Sequence, residues 1–233
     1  MRQVARWVII LAVPLVLTMG VVRLLTLPWF PAWAYRRANF PPDPLGMTQE
    51  ERLVLARASI AYLNLPRGQV NLEALWLPDG APAFNAREVH HMEDVKAVYN
   101  ALTWAAGGML LLAGGATWWL ARQGDGSVAW GAFSDGGLLT LLVLLALGVW
   151  MVVGFDAFFA AFHALFFAAG TWIFPATDTL IRLFPLPFWQ LAGYLVAGSV
   201  GVLGFGLALV GRALQRRLER EAERAYPPAT ATD

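Results

Sequence analysis

Residues Gly136–Phe155 read GGLLTLLVLLALGVWMVVGF, an unbroken run with no charged side chain and Leu or Val at most positions. About 20 mostly apolar residues suffice for a helix to cross a hydrocarbon core of roughly 30 Å. Outward from this run, three more stretches lack charge: Trp7–Val22, Ala97–Ala121 and Leu183–Gly211. The last two are long enough to span. The first is short unless it continues past Arg23 through Leu24, Leu25 and Leu27, with the arginine snorkelling. The pattern predicts an all-α membrane protein with four transmembrane helices and a small extracytoplasmic, mainly helical domain between helices 1 and 2.

The first run also fits the n- and h-regions of a signal peptide. No clear small-x-small cleavage site follows it, and Trp29, Trp33 and Tyr35 read as interfacial anchors, so an uncleaved anchor is expected. Arginines near the spans set the orientation. Arg2 and Arg6 precede the first span, Arg122 follows the second, and Arg212, Arg216, Arg217, Arg220 and Arg224 follow the fourth. With four crossings these lie on one side, which the positive-inside rule makes cytoplasmic. The expected layout is a cytoplasmic N-terminus and first span over 1–27, an extracytoplasmic domain over 28–96 and a second span over 97–121. A cytoplasmic loop over 122–135 and a third span over 136–155 follow. An extracytoplasmic amphipathic segment then covers 156–188, before a fourth span over 189–211 and a cytoplasmic tail over 212–233.

Composition agrees: 58% of the 233 residues are hydrophobic, with 11 Trp and 14 Phe, far from a soluble average. The absence of cysteine excludes disulfides, thiol nucleophiles and thiolate metal sites. A net charge of +1, without a basic patch interleaved with aromatics, gives no sign of nucleic-acid binding. The Arg/Glu alternation of Arg212–Arg224 reads as a solvated helix end, and Pro227–Asp233 as a disordered terminus.

Between the first two spans, Phe40-Pro-Pro-Asp-Pro-Leu-Gly46 is a breaker-rich turn region. Thr48-Gln-Glu-Glu51 matches a capping box, and Leu53, Ala56, Ile60 and Leu63 follow at helical spacing. This predicts a helix of about fifteen residues ending near Asn64. Val70–Phe84 is a short hairpin or loop. Asn85-Ala-Arg-Glu88 is a second capping box, opening a helix that carries His90 and His91 and runs unbroken into the second span. Gly107 and Gly114, and Gly198, Gly201 and Gly204, predict close helix packing. After the third span, Phe155, Phe158, Phe159, Phe162 and Phe166 form a helical stripe, with Asp156, His163 and Phe167 on another face, as in an amphipathic boundary helix.

Chemistry-bearing side chains gather in Glu88–Lys96 and Phe155–Phe167, which hold all three histidines and the sole lysine. Either His91 or His90 is spaced to meet Asp94 on a helix. A carboxylate beside an imidazole stabilises the form a general base needs, though a solvated cap uses the same residues. His163 sits among phenylalanines near the bilayer, where an ionisable group is a functional candidate; Asp156 and Asp178 are plausible neighbours. Lys96 suits a lipid phosphate or a substrate ester. Adjacent His90 and His91 diverge by about 100° on a helix and are poorly placed to share a metal. No GxSxG elbow is present, so no metal, cofactor or serine nucleophile is called for.

Several motifs together resemble one family: Glu88-Val-x-His91-Met-x-Asp94-Val-Lys96, Phe162-His163-x-x-Phe166-Phe167, Trp172-x-Phe174-Pro175 and Asp178-x-Leu180-Ile181-x-Leu183-Phe184-Pro185, with Tyr62-Leu63-Asn64 in the outer helix. In this order the chain is similar to the bacterial membrane family that includes the lipoprotein intramolecular transacylase Lit. The resemblance implies an enzyme that moves one acyl chain from the sn-2 ester of a diacylglyceryl-cysteine to the α-amine of the same cysteine. Its partners would be the diacylglyceryl-modified lipoprotein N-terminus and membrane lipids. It maps the family's two functional histidines onto His91 and His163 and leaves His90 a bystander. Asp94, Lys96, Asp156 and Asp178 would support them, and which histidine is the base stays open. Two other classes fit the residues less well: a non-catalytic membrane adaptor or lipid-binding protein gripping through the phenylalanine stripe, and a metal-dependent membrane hydrolase.

Overall fold

The computed structural model describes residues 1–225; the remainder, including the expected disordered terminus Pro227–Asp233, lies outside the described residues. The helices in order are α1 (Arg2–Leu25), α2 (Trp29–Tyr35), α3 (Gln49–Asn64), α4 (Ala86–Arg122), α5 (Gly126–Val153), α6 (Phe155–Phe166), α7 (Thr179–Leu183) and α8 (Leu186–Ala225). Beyond them the described residues hold one 3-10 turn, Leu72–Ala74, and an isolated antiparallel bridge between Trp76 and Pro82. Val70–Phe84, read as a short hairpin or loop, is thus mostly loop closed by that one bridge. Helices α1, α4, α5 and α8 are long and apolar enough to cross a membrane.

Local chemistry explains the boundaries. At α3 the Thr48 hydroxyl accepts the Glu51 N–H while the Glu51 carboxylate accepts the Thr48 N–H, completing the capping box. α1 does run past Arg23, whose guanidinium lies over the Tyr99 ring at 5.3 Å. α5 opens at Gly126, ahead of the uncharged run, because nothing after Asp125 breaks it; the turn before it is shorter than the loop expected over 122–135. α2 escapes the periodicity reading because seven residues with an internal proline are too few to show a period. Tyr35, expected as an interfacial anchor, is instead buried, with its hydroxyl donating to the Leu183 carbonyl at 2.8 Å. Trp29 and Trp33 remain exposed.

The chain forms two compact units. One comprises Met1–Gly20, Trp104–Val149 and the chain from Ala197 onward. Its core joins Ala5, Ile9 and Ala12 of α1 to Ala113 and Leu120 of α4 and to Ala129 and Ala132 of α5. Asp135 lies 2.7 Å from Arg6 and 3.5 Å from Arg212, so one carboxylate ties α5 to both α1 and α8.

α5 and α8 approach through glycine. A Cβ on Gly137 would strike the Gly204 carbonyl oxygen and come within 2.8 Å of the Ala208 nitrogen; one on Gly211 would lie 2.7 Å from the Trp130 carbonyl. The Ser134 hydroxyl donates to the Ala208 carbonyl across the same contact. Of the glycines expected to pack, Gly204 does, with Thr140 Cγ2 3.3 Å from its virtual Cβ, and Gly201 meets Leu144 at 3.8 Å. Gly107, Gly114 and Gly198 face open space, because spacing along one helix does not say which face meets a partner. Gly137→Ala and Gly211→Ala should each cost about 1–3 kcal/mol by overpacking, and Gly107→Ala should shift stability by no more than about 0.5 kcal/mol. Thermal unfolding in detergent measures both, and equal effects at Gly137 and Gly107 would refute the assignment.

The other unit comprises Val21–Thr103 and Trp150–Val196. Leu55, Leu72, Phe84, Met92, Leu180 and Leu183 form one core, and Phe30, Tyr35, Ala56 and Phe188 another. Buried polar links pin these elements. Arg182 forks onto Asp43 at 2.9 and 2.8 Å, and Asp43 also accepts the N–H groups of Leu45 and Met47. Arg52 donates to the carbonyls of Pro41 and Arg182 and lies over the rings of Tyr35 and Phe40. Asn64 donates to the Thr26 carbonyl at 2.7 Å and accepts from the Tyr99 hydroxyl at 3.0 Å.

Candidate active site

The start of α4 is fixed by reciprocal bonds: Asn85 Oδ1 accepts the Glu88 N–H at 3.0 Å and Glu88 Oε2 accepts the Asn85 N–H at 2.8 Å. The other oxygen of buried Glu88 accepts the Leu180 N–H at 2.7 Å, and Arg87 pairs with Asp178 at 2.7 Å. These links hold the first turn of α4 against the first turn of α7. The chain leading into α7 carries Trp172 and Phe174 into the same neighbourhood.

His91, one turn along α4, packs edge-on between Phe167 and Phe174, each with its ring centroid at 5.2 Å. Its Nδ1 is buried with no hydrogen-bond partner among the described residues. His163, on α6, packs against Phe159 at 4.0 Å, Trp172 at 4.8 Å and Phe167 at 5.8 Å. Phe167 therefore touches both imidazoles, and the two histidines share one aromatic cluster.

The nitrogens of His163 are distinguishable. Nδ1 lies 2.8 Å from the Phe159 carbonyl oxygen. A carbonyl only accepts, so Nδ1 carries the proton and Nε2 of the neutral ring holds the lone pair. A neutral ring in this tautomer takes up a proton at Nε2.

Both sites lie outside the uncharged runs, His91 ahead of Ala97 and His163 after Phe155. Burial lowers the His91 pKa to about 4, helped by the nearby His163, while Asp94 opposes the shift. Burial also lowers that of His163, and the Phe159 bond opposes it. Both rings are thus neutral near neutral pH. Their folded-state pKa values lie below the unfolded value, so the unfolded chain binds more protons between the two. Stability from this source is complete above about 6.5 and is lost as pH falls from there toward the folded value. Histidine-labelled NMR in micelles should show the His91 and His163 rings titrating below about 6.5; titration of either above that value would contradict its burial.

The other candidates take different places. His90 is exposed, with Glu93 at 3.7 Å and Asp94 at 3.9 Å, so Asp94 reaches His90 and the rings of Phe167 and Phe174 orient His91. Lys96 is buried and donates to the carbonyls of Tyr62 and Leu65 at 2.7 and 2.9 Å while lying 4.4 Å from the Tyr62 ring centroid. It ties the end of α3 to α4. Asp156 is exposed, Asp178 is held by Arg87, and the bond that fixes His163 comes from Phe159. Among the described residues no three His, Asp or Glu side chains gather as metal ligands. Phe167 and Trp172 stood in the sequence motifs but drew no role, since nothing in their spacing shows that Phe167 meets both α4 and α6 or that Trp172 packs on His163.

Residues 6–189 match the family described as lipoprotein intramolecular transacylase Lit. The chain belongs to the Lit family. It is accordingly a membrane enzyme of lipoprotein modification. An uncharacterized protein of Aquifex aeolicus is 35% identical over 177 residues, covering 72% of this chain and 74% of its own. The solved Lit transacylase of Bacillus cereus matches with a TM-score of 0.75 at 19% identity, over 96% of this chain and 98% of its own. A variant of it with a histidine replaced by arginine matches with a TM-score of 0.69 at 18% identity, over 97% of this chain and 95% of its own. At these identities the likeness to the solved Lit structures shows the fold.

Proposed function

We propose that this Lit-family enzyme moves the sn-2 acyl chain of a diacylglyceryl-cysteine to the α-amine of the same residue, using His163 as base and His91 as its partner. The observation that carries the reading is the pairing of His163, its Nε2 lone pair set by the Phe159 carbonyl, with His91 across one shared ring.

The chemistry needs no enzyme nucleophile. The substrate's α-ammonium, of pKa about 8, first loses a proton to solvent. The amine nitrogen then bonds to the ester carbonyl carbon, and its N–H proton passes to His163 Nε2. As the tetrahedral intermediate collapses, the C–O bond to glycerol breaks and the imidazolium returns that proton to the sn-2 oxygen. The products are an amide and a free hydroxyl, with no acyl-enzyme. Holding amine and ester together supplies much of the rate, because the reaction is intramolecular. Neutral His91 supplies a hydrogen bond to the glyceryl oxygen. Arginine placement near the spans supports cytoplasmic termini and a site at the outer leaflet, where diacylglyceryl lipoproteins and membrane lipids are the partners.

Co-expression with a diacylglyceryl lipoprotein tests the reading by mass spectrometry of the N-terminal lipopeptide. The expected product has the same mass as the substrate with one acyl chain on nitrogen, resolved by fragmentation. Unchanged diacylglyceryl-cysteine would sink the reaction. Full activity in His91→Phe and His163→Ala, with loss in Phe162→Ala, would favour the adaptor reading instead.

A further inference from the structure

Trp172 is the residue of the cluster that the mechanism has not used. Its ring lies 4.8 Å from that of His163 with the planes 32° apart, and 6.0 Å from Phe159. Its Nε1 is buried, and no acceptor among the described residues reaches it. An indole N–H has one role in hydrogen bonding, as a donor. Leaving a buried donor unsatisfied costs about 1–3 kcal/mol, and Phe would fill a similar space without that penalty. Interfacial anchoring does not account for it, since an anchoring indole turns its N–H outward. Trp29 shows a satisfied alternative, its Nε1 donating to the Leu24 carbonyl at 2.9 Å. His91 carries a second buried, unpartnered nitrogen in the same cluster. Two such atoms around one base suit a substrate that brings acceptors of its own.

We infer that the Trp172 N–H is a catalytic hydrogen-bond donor to the acyl carbonyl oxygen of the substrate ester. This rests on the transacylase reading above. As the amine nitrogen adds to the carbonyl carbon, the C=O electron pair moves onto oxygen. The buried indole N–H then faces a developing negative charge, where a positioned donor gains strength. When the C–O bond to glycerol breaks, that pair returns to rebuild the carbonyl of the amide. No atom is exchanged with Trp172. The division of labour follows: His163 handles the amine proton, His91 the glyceryl oxygen, and Trp172 the carbonyl oxygen.

Site-specific replacement of Trp172 by benzothienylalanine tests it, because sulfur replaces N–H while ring size and stacking persist; Trp172→Phe is the simpler companion. The probe is a synthetic diacylglyceryl-cysteine lipopeptide in micelles with purified full-length enzyme. The expected result is a fall in kcat of about 10²–10³-fold with KM little changed, as for an interaction strengthened in the transition state. The melting temperature should hold or rise, since removing a donor that lacks an internal partner costs the fold nothing. Wild-type kcat in the isostere, a change confined to KM, or a lowered melting temperature would each overturn the inference. If the wild type itself leaves the lipopeptide unchanged while His163→Ala behaves identically, the transacylase reading fails first, and the two failures are distinguishable.

Discussion

His163→Ala is expected to slow formation of the N-acyl product by about 10²–10⁴-fold, the contribution of a positioned general base. The side chain's one hydrogen bond is to a carbonyl of its own helix, and α6 buries no residue fully. Truncation should therefore leave folding nearly intact and move the rate alone. The measurement is the initial rate of the lyso-form lipopeptide by mass spectrometry, with melting temperature as the control. His91→Phe, which preserves packing against Phe167 and Phe174, should also lose rate without losing stability. A His163→Ala enzyme at the wild-type rate would remove the base from the mechanism.

The largest effect on stability is expected at Arg182→Met. Arg182 and Asp43 are both buried, joined by two hydrogen bonds, and Asp43 further accepts two backbone N–H groups. Burial alone would raise the Asp43 pKa, but the Arg182 bonds, the Met47 and Leu45 amides and the Arg182 charge outweigh it, holding the carboxyl below its usual range. Removing the cation strands a buried carboxylate, which costs about 3–5 kcal/mol and lowers the melting temperature by on the order of 10 °C. The double variant Asp43→Leu with Arg182→Met should recover much of this, because replacing both partners leaves no uncompensated charge. The pH dependence has a definite sign: the Asp43 contribution is complete above the unfolded value of about 3.9 and fades as pH falls below it. An Arg182→Met protein that melts with the wild type would show the pair to be dispensable.

What the sequence revealed was local, and what it hid was long-range. Thr48/Glu51 and Asn85/Glu88 announce their helix starts because a capping box is complete within four residues. The uncharged runs announce four spans for the same reason: hydropathy is additive along a chain. His91 and His163 were visible as polar residues in apolar company. The carbonyl partners of Lys96, Tyr62 and Leu65, lie at the end of α3, and spacing along α4 cannot point to them. Asp94 was ambiguous between two histidines one residue apart, and rotamer geometry, which a sequence does not carry, decided for His90. Asp43–Arg182 spans most of the chain and left no periodic trace. Trp172 stood in a motif, yet its meaning depends on which atoms around it are satisfied.

The bond from His163 Nδ1 to Phe159 has a mechanical corollary. In the familiar arrangement a base is aligned by a carboxylate from a different segment, so any displacement between the two spoils the alignment. Here the aligning oxygen belongs to the preceding turn of the same helix. The imidazole travels with its own jig. Because ring and carbonyl share one helix, a rigid displacement of α6 leaves the Nδ1–Phe159 bond intact, and with it the tautomer that keeps the Nε2 lone pair free.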